Sequence, residues 1–127
     1  MVNGFFAYPS EPPSVRDAIL QAIRDLNAVH GPVDFHGWEE ARVGGKAVIT
    51  AICDRIKDSH LFCADVTGVN PNVMFELGYA IAREKRIWLI LDPSLQRSMR
   101  AFKQLQVLTT IGHAEYQNSR DIFQKLM

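Results

Sequence analysis

Short apolar runs alternate with segments of helical period along the whole chain, and this alternation limits the fold more than any other feature. Residues 2–8, 33–35, 61–66, 87–91 and 107–111 form the runs, four of them bounded on one side by Pro, Gly or Asp. The longer ones, such as Leu61-Phe62-Cys63-Ala64-Asp65-Val66, are apolar at successive positions. A strand apolar on both faces must be covered on both faces, which is the habit of parallel sheets. Between the runs, Val15, Ile19, Ala22, Ile23 and Leu26 recur at helical spacing, as do Val48, Ile49, Ile52 and Ile56. Glu11-Pro12-Pro13-Ser14 opens the first helix and Gly31-Pro32 stops it. Asn70-Pro71 starts the third, because Asn70 can cap and Pro71 has no N–H to leave unpaired. That helix runs to about residue 84, a fourth is expected over 97–104, and a last begins at 118. The order βαβαβαβαβα with right-handed crossovers favours a three-layer, flavodoxin-like α/β fold. Its five-stranded parallel sheet has the order 2-1-3-4-5, with helices on both faces.

One domain accounts for 127 residues. Apolar residues at 47% and charged residues at 22% match globular usage and argue against disorder. Residues 1–64 hold 6 basic and 8 acidic side chains and residues 65–127 hold 8 and 6, so neither half has the basic excess of a nucleic-acid binder. No apolar run is long enough for a membrane span, and the N-terminus lacks a signal-peptide pattern, so a cytoplasmic location is expected. Cys53 and Cys63 are too far apart for a metal pair, and the histidines at 30, 36, 60 and 113 show no ligand spacing. No metal site is expected. The last helical segment carries no stop signal, which is the pattern of a domain excised from a longer protein.

In a sheet of this order, ligands bind beyond the C-terminal strand ends, at the switch point between strands 1 and 3. Tyr8, Pro9 and Ser10 follow strand 1, and Asp65, Val66, Thr67 and Gly68 follow strand 3. The helix starting at Asn70 lies beside them, with amides able to meet an anion. Glu76 sits in its second turn, three residues after Val73 and four before Ala80, on a face expected to be buried. A carboxylate there either gains from the positive helix end or has a chemical task. Asp65 either caps the next turn through an Asx hydrogen bond or contacts a ligand. Trp38, in a polar loop with Gly37, Glu39 and Arg42, either stacks on a ring or folds onto the core.

Several motifs are excluded. Gly44-Gly45-Lys46 has Glu40 where a phosphate loop needs glycine and Ala47 where it needs Ser or Thr. No G-x-G-x-x-G is present, and Phe5-Phe6-Ala7-Tyr8 lacks the acidic pair of a response-regulator receiver.

The stretch from Ala64 to Ala80, ADVTGVNPNVMFELGYA, resembles bacterial TIR (Toll/interleukin receptor) and TIR-like domains. It is also similar to nucleoside 2-deoxyribosyltransferases, which carry a related E-x-G-Y-A-type segment. The resemblance extends over nearly the whole chain. Phe5-Phe6-Ala7-Tyr8-Pro9-Ser10 stands where the family has its first strand, and residues 37–46 stand where it has the BB loop. Pro9 departs from the small residue usual there, and Asn70-Pro71-Asn72 is nearer to the TIR-like and transferase sequences than to receptor TIR domains.

The resemblance implies cleavage of the nicotinamide–ribose bond of NAD+, with NAD+ as substrate and no separate cofactor. Glu76 falls at the catalytic glutamate. Tyr8, Pro9, Ser10, Asp65, Thr67 and Asn72 are then expected around the substrate, Trp38 over it and Arg42 at a phosphate. One carboxylate suffices because nicotinamide leaves neutral from a pyridinium, whereas most glycosidases need a carboxylate pair. The resemblance also implies an effector domain of a bacterial antiphage protein. A sensor domain would drive homo-oligomer or filament assembly through TIR–TIR contacts involving residues 37–46. The alternatives are a cyclase making a cyclic ADP-ribose signal, a nucleoside (deoxy)ribosyltransferase, and a non-catalytic adaptor or nucleotide sensor.

Overall fold

The computed structural model describes residues 2–29, 33–37, 48–94 and 113–126. Within them, β1 (Val2–Ala7), α1 (Pro13–Ala28), β2 (Val33–Gly37), α2 (Val48–Asp58) and β3 (Leu61–Asp65) follow in order. A 3-10 turn (Thr67–Val69) leads to α3 (Pro71–Ala82), β4 (Arg86–Leu91), β5 (His113–Glu115) and α4 (Ser119–Leu126). The five strands form one sheet in the order β2-β1-β3-β4-β5, every neighbouring pair parallel. The flavodoxin-like arrangement expected from the sequence is the one observed.

Its two-sided burial follows from strand alternation, since successive side chains leave a strand on opposite faces. Phe5, Ala7, Phe62, Ala64, Leu89 and Leu91 pack under α2 and α3 with Ile52, Ile56, Val73, Leu77 and Ala80. Phe6, Cys63 and Ile90 take the other face, under α1 and α4, with Val15, Ile19, Ala22, Leu26 and Ile122. At the sheet centre the Phe5 and Phe62 rings lie parallel, with centroids 6.0 Å apart.

Sequence signals account for most element ends. Asn70 Oδ1 accepts from the N–H groups of Asn72 at 2.9 Å and Val73 at 3.2 Å, and Pro71 takes the first helical position. Asn70→Ala leaves those two amides without their acceptor and is expected to lower stability by about 1 kcal/mol. Asn70→Asp keeps the acceptor and should unfold close to the parent temperature. Thermal denaturation of the pair checks this; equal losses in both would show that the amide nitrogen, not the cap, is what matters. At the other end, Glu84 adopts a left-handed conformation (φ 57°), and Lys85 N–H bonds back to Ala80 O.

The fifth strand is described over only three residues. The strand paired with β4 is His113–Glu115, whereas the sequence reading placed it at 107–111. Residues 107–111, like the helix expected over 97–104, lie outside the described residues. What surrounds β5 shows how His113–Glu115 is held. Tyr116, directly after it, is buried, and its N–H bonds Leu91 O at the end of β4. An anchoring tyrosine after a three-residue strand gives little apolar periodicity to detect. Asn118 then caps α4 by accepting from Asp121 N–H, and Asp121 returns the favour to Gln117 N–H.

Candidate active site

Beyond the C-terminal end of β1 a cavity of about 590 Å³ opens, within the size range of small-molecule sites. Tyr8, Pro9 and Ser10 line it from β1, Ile49 and Ile52 from α2, and Asn70, Asn72, Phe75 and Glu76 from the start of α3. This is the crevice that the strand order predicts, where the chain leaves β1 toward one face and β3 toward the other.

Tyr8 is buried and is seated by a glycine. A Cβ on Gly37, at the end of β2, would lie 2.9 Å from Tyr8 Cε1 and 3.0 Å from its Oη. The ring therefore occupies space that any other residue at 37 would claim. Gly37→Ala is expected to tilt Tyr8 off its seat and lower stability by about 1–3 kcal/mol. A melting temperature unchanged from the parent would show that the ring yields freely.

Glu76 shares its face of α3 with Val73, Leu77 and Ala80, all buried, as the spacing indicates. Only 5% of the residue is exposed, yet it lines the cavity. Its Oε2 is buried and has no hydrogen-bond partner among the described residues. Burial pushes the carboxyl up to about 7, from an ordinary value of 4.5. Among the described lining residues Glu76 is the sole carboxylate, and none is Lys, Arg or His. The site therefore offers an ionisable, weakly solvated oxygen with no cation beside it among the described lining residues. An arrangement of this kind favours a positive centre brought by a ligand.

Asp65 is placed differently from the substrate contact expected of it. It is fully buried at the end of β3, and the described cavity wall does not include it. Its Oδ1 accepts from Thr67 N–H at 2.7 Å, the Asx turn that was the alternative reading. Its Oδ2 accepts from the Tyr116 hydroxyl. Thr67 is also buried, and its Oγ1 accepts from Asp92 N–H at 2.9 Å. Both side chains thus tie the ends of β3, β4 and β5 together. Burial is the main influence on Asp65, pushing its carboxyl up to about 6 against the opposing effect of its hydrogen bonds to Thr67 and Tyr116. The Tyr116 hydroxyl is pushed upward by burial and by the Asp65 charge, so it stays protonated and donates.

Of the residues singled out from sequence, Tyr8, Pro9, Ser10, Asn72 and Glu76 come together on one cavity. Asp65 and Thr67 do not, and Trp38 and Arg42 lie outside the described residues. Ile49, Ile52, Asn70 and Phe75 line the cavity without having been expected there. From sequence Asn70 reads as a cap, and Ile49 and Ile52 as part of a core stripe. Phe75 had a detectable signal, because Val73-Met74-Phe75 holds more apolar residues than one buried face of a helix can use. Tyr116 had none, being 51 residues from Asp65 in the chain.

No family model matches the chain, and no curated protein matches it. Solved structures do. The chain is similar to a CMP N-glycosidase of Clostridium botulinum, with 22% identity, 98% of this chain and 96% of that chain covered, and a TM-score of 0.66. It is similar to the TIR domains of the activated Roq1 resistosome, with 14% identity, 99% and 98% covered, and a TM-score of 0.68. It is also similar to a 2-deoxyribosyltransferase of Bacillus psychrosaccharolyticus, with 15% identity, 96% and 90% covered, and a TM-score of 0.63. At these identities the likeness establishes the shared fold over essentially the whole chain.

Proposed function

We propose that this chain cleaves an N-glycosidic bond of a nucleotide, with Glu76 as the catalytic carboxylate and NAD+ as the substrate. The observation that carries the reading is the buried Glu76 Oε2, unpartnered among the described residues, on the wall of a substrate-sized cavity. Nicotinamide in NAD+ is a pyridinium. When its bond to the ribose C1′ breaks, the electron pair goes to the ring nitrogen and nicotinamide leaves neutral. No acid is needed for departure. Positive charge grows instead on the ribose, where an ionised Glu76 stabilises it or bonds to C1′ transiently. Water then attacks C1′, loses a proton and gives ADP-ribose. The absence of a cation among the described lining residues suits a substrate that brings its own positive charge. The likeness to an N-glycosidase and to a 2-deoxyribosyltransferase supports N-glycosidic chemistry in this fold.

A second reading, base release from a nucleoside monophosphate, is favoured by the likeness to a CMP N-glycosidase. That chemistry has the opposite need. Cytosine leaves poorly as an anion and needs a proton, which a carboxyl with its midpoint near 7 can still supply at neutral pH. The two readings therefore predict opposite pH profiles. With NAD+, kcat/KM should rise as pH passes about 7 and Glu76 ionises. With CMP, it should fall through the same pH as the proton is lost. Nicotinamide and cytosine release measured across that range decide between them, and a rate flat through neutral pH with both substrates would remove Glu76 from the chemical step.

Self-association belongs to the same proposal. The Roq1 TIR domains are part of a resistosome, which supports self-assembly of this chain; the contact proposed is the 37–46 loop, of which Gly37 alone lies among the described residues. An effector role in antiphage defence under a sensor domain extends that proposal. Among the described residues no helix is long and apolar enough to cross a membrane.

A further inference from the structure

Two exposed apolar side chains at the mouth of the cavity are not explained by carboxylate chemistry. Phe75 is 52% exposed and Ile49 is 48% exposed, two of the large apolar side chains most open to water among the described residues. They come from different helices, α3 and α2, and both line the Glu76 cavity. Phe75 directly precedes Glu76, so its ring leaves the helix about 100° around from the carboxylate. Glu76, Leu77 and Val73 take the buried face, which leaves Phe75 at the mouth. Ser10 and Asn72, also exposed, share the mouth with them, while Glu76 lies buried on the wall beside Tyr8, Pro9 and Ile52. A ligand with a polar sugar and a flat apolar ring matches the buried carboxylate and the apolar pair at once.

We infer that Phe75 is the stacking platform for the base of the substrate, with Ile49 closing the slot from α2, so that the sugar reaches Glu76 while the base lies at the rim. This rests on the nucleotide reading of the cavity given above. The assignment has a consequence for specificity. A phenyl face grips any planar ring without reading its hydrogen-bonding edge. Phe75 therefore supplies affinity for the base common to nicotinamide and pyrimidine substrates, and Phe75 itself does not choose between them. It also places the leaving base on the solvent side, where it departs without passing the sugar.

The test uses binding to the Glu76→Gln protein, so that turnover does not enter. Nicotinamide mononucleotide and CMP are the base-bearing probes, and ribose 5-phosphate is the probe without a base. In the Phe75→Ala/Glu76→Gln protein, affinity for both base-bearing probes should fall about tenfold or more. Affinity for ribose 5-phosphate should stay within about twofold. Phe75→Trp/Glu76→Gln should restore binding of the base-bearing probes and add a fluorescence quench on binding, since an indole stacks as a phenyl ring does. Because Phe75 is half exposed, the alanine protein should fold with a melting temperature close to the parent. Unchanged affinity for the base-bearing probes, or an equal loss for ribose 5-phosphate, overturns the platform assignment. Unchanged affinity with a smaller assembly in light scattering overturns it too, giving Phe75 to a contact between copies. No binding of any probe by Glu76→Gln overturns the nucleotide reading itself, a result distinct from the other three.

Discussion

Glu76→Gln is expected to lower nicotinamide release from NAD+ by between about a hundredfold and ten-thousandfold while making the protein more stable at alkaline pH. The substitution keeps the shape of the side chain and removes only its charge and proton. Turnover falls because the developing positive charge at C1′ loses its counter-charge. Stability rises because the native fold buries that same charge with an oxygen that no described residue satisfies. The sign follows from proton binding. The carboxyl has an ordinary value of 4.5 and is pushed up to about 7 in the fold. Below the first value folded and unfolded chains are both protonated, and the shift contributes nothing. Between the two values the folded chain binds more protons, so stability falls as pH rises. Above about 7 the cost is complete, about 3 kcal/mol at most.

Melting curves of both proteins at about pH 5 and about pH 8 check the stability half. The variant should gain several degrees on its parent at the higher pH and little at the lower. Equal stability at both values would mean that the carboxylate is satisfied in solution and stores no strain for chemistry. An unfolded variant would give Glu76 a structural role in place of the catalytic one. Loss of turnover together with gained stability is the joint signature of a group held where the substrate, not the fold, needs it.

How much of this was legible depends on the range over which each interaction acts. The helix start at Asn70-Pro71 is written in two adjacent residues, and the structure forms both the cap and the proline first position. The buried face of α3, with Glu76 on it, follows from three- and four-residue spacing within one helix. Strand order follows from crossover handedness once the elements are counted, and the crevice beyond β1 follows from strand order. What escaped was set by partners distant in the chain. Asp65 at a strand end has the same local sequence whether it meets a ligand or Tyr116. His113–Glu115 is a strand because β4 offers an edge there, and three residues with one inward alanine carry no period of their own. Ile49 and Ile52 fit one helical stripe, but Ile52 is 6% exposed and Ile49 is 48% exposed, because the stripe runs from core to cavity mouth. Hydropathy alone does not separate the two.

Asp65→Ala is expected to be the most damaging polar substitution in the fold, lowering stability by about 2–4 kcal/mol. The side chain holds two buried donors, Thr67 N–H through Oδ1 and the Tyr116 hydroxyl through Oδ2. Alanine removes both acceptors at a position with no exposure to water, so neither donor finds a solvent replacement. The loss spreads further, because Thr67 also receives Asp92 N–H and Tyr116 N–H is bonded to Leu91 O. Asp65→Asn separates hydrogen bonding from charge. Its carbonyl oxygen still accepts from Thr67 N–H, and its amide can donate to the Tyr116 oxygen once that hydroxyl turns. It also removes the cost of an ionised carboxyl pushed up to about 6, so at about pH 8 it should match or exceed the parent, and it should gain less at about pH 5. Chemical denaturation of the two variants at both pH values decides the matter. An alanine variant as stable as the parent would mean that the buried network does not hold β3, β4 and β5 together. An asparagine variant as stable as the parent but devoid of turnover would return Asp65 to the substrate, because a purely architectural carboxylate leaves chemistry intact when its hydrogen bonds are kept.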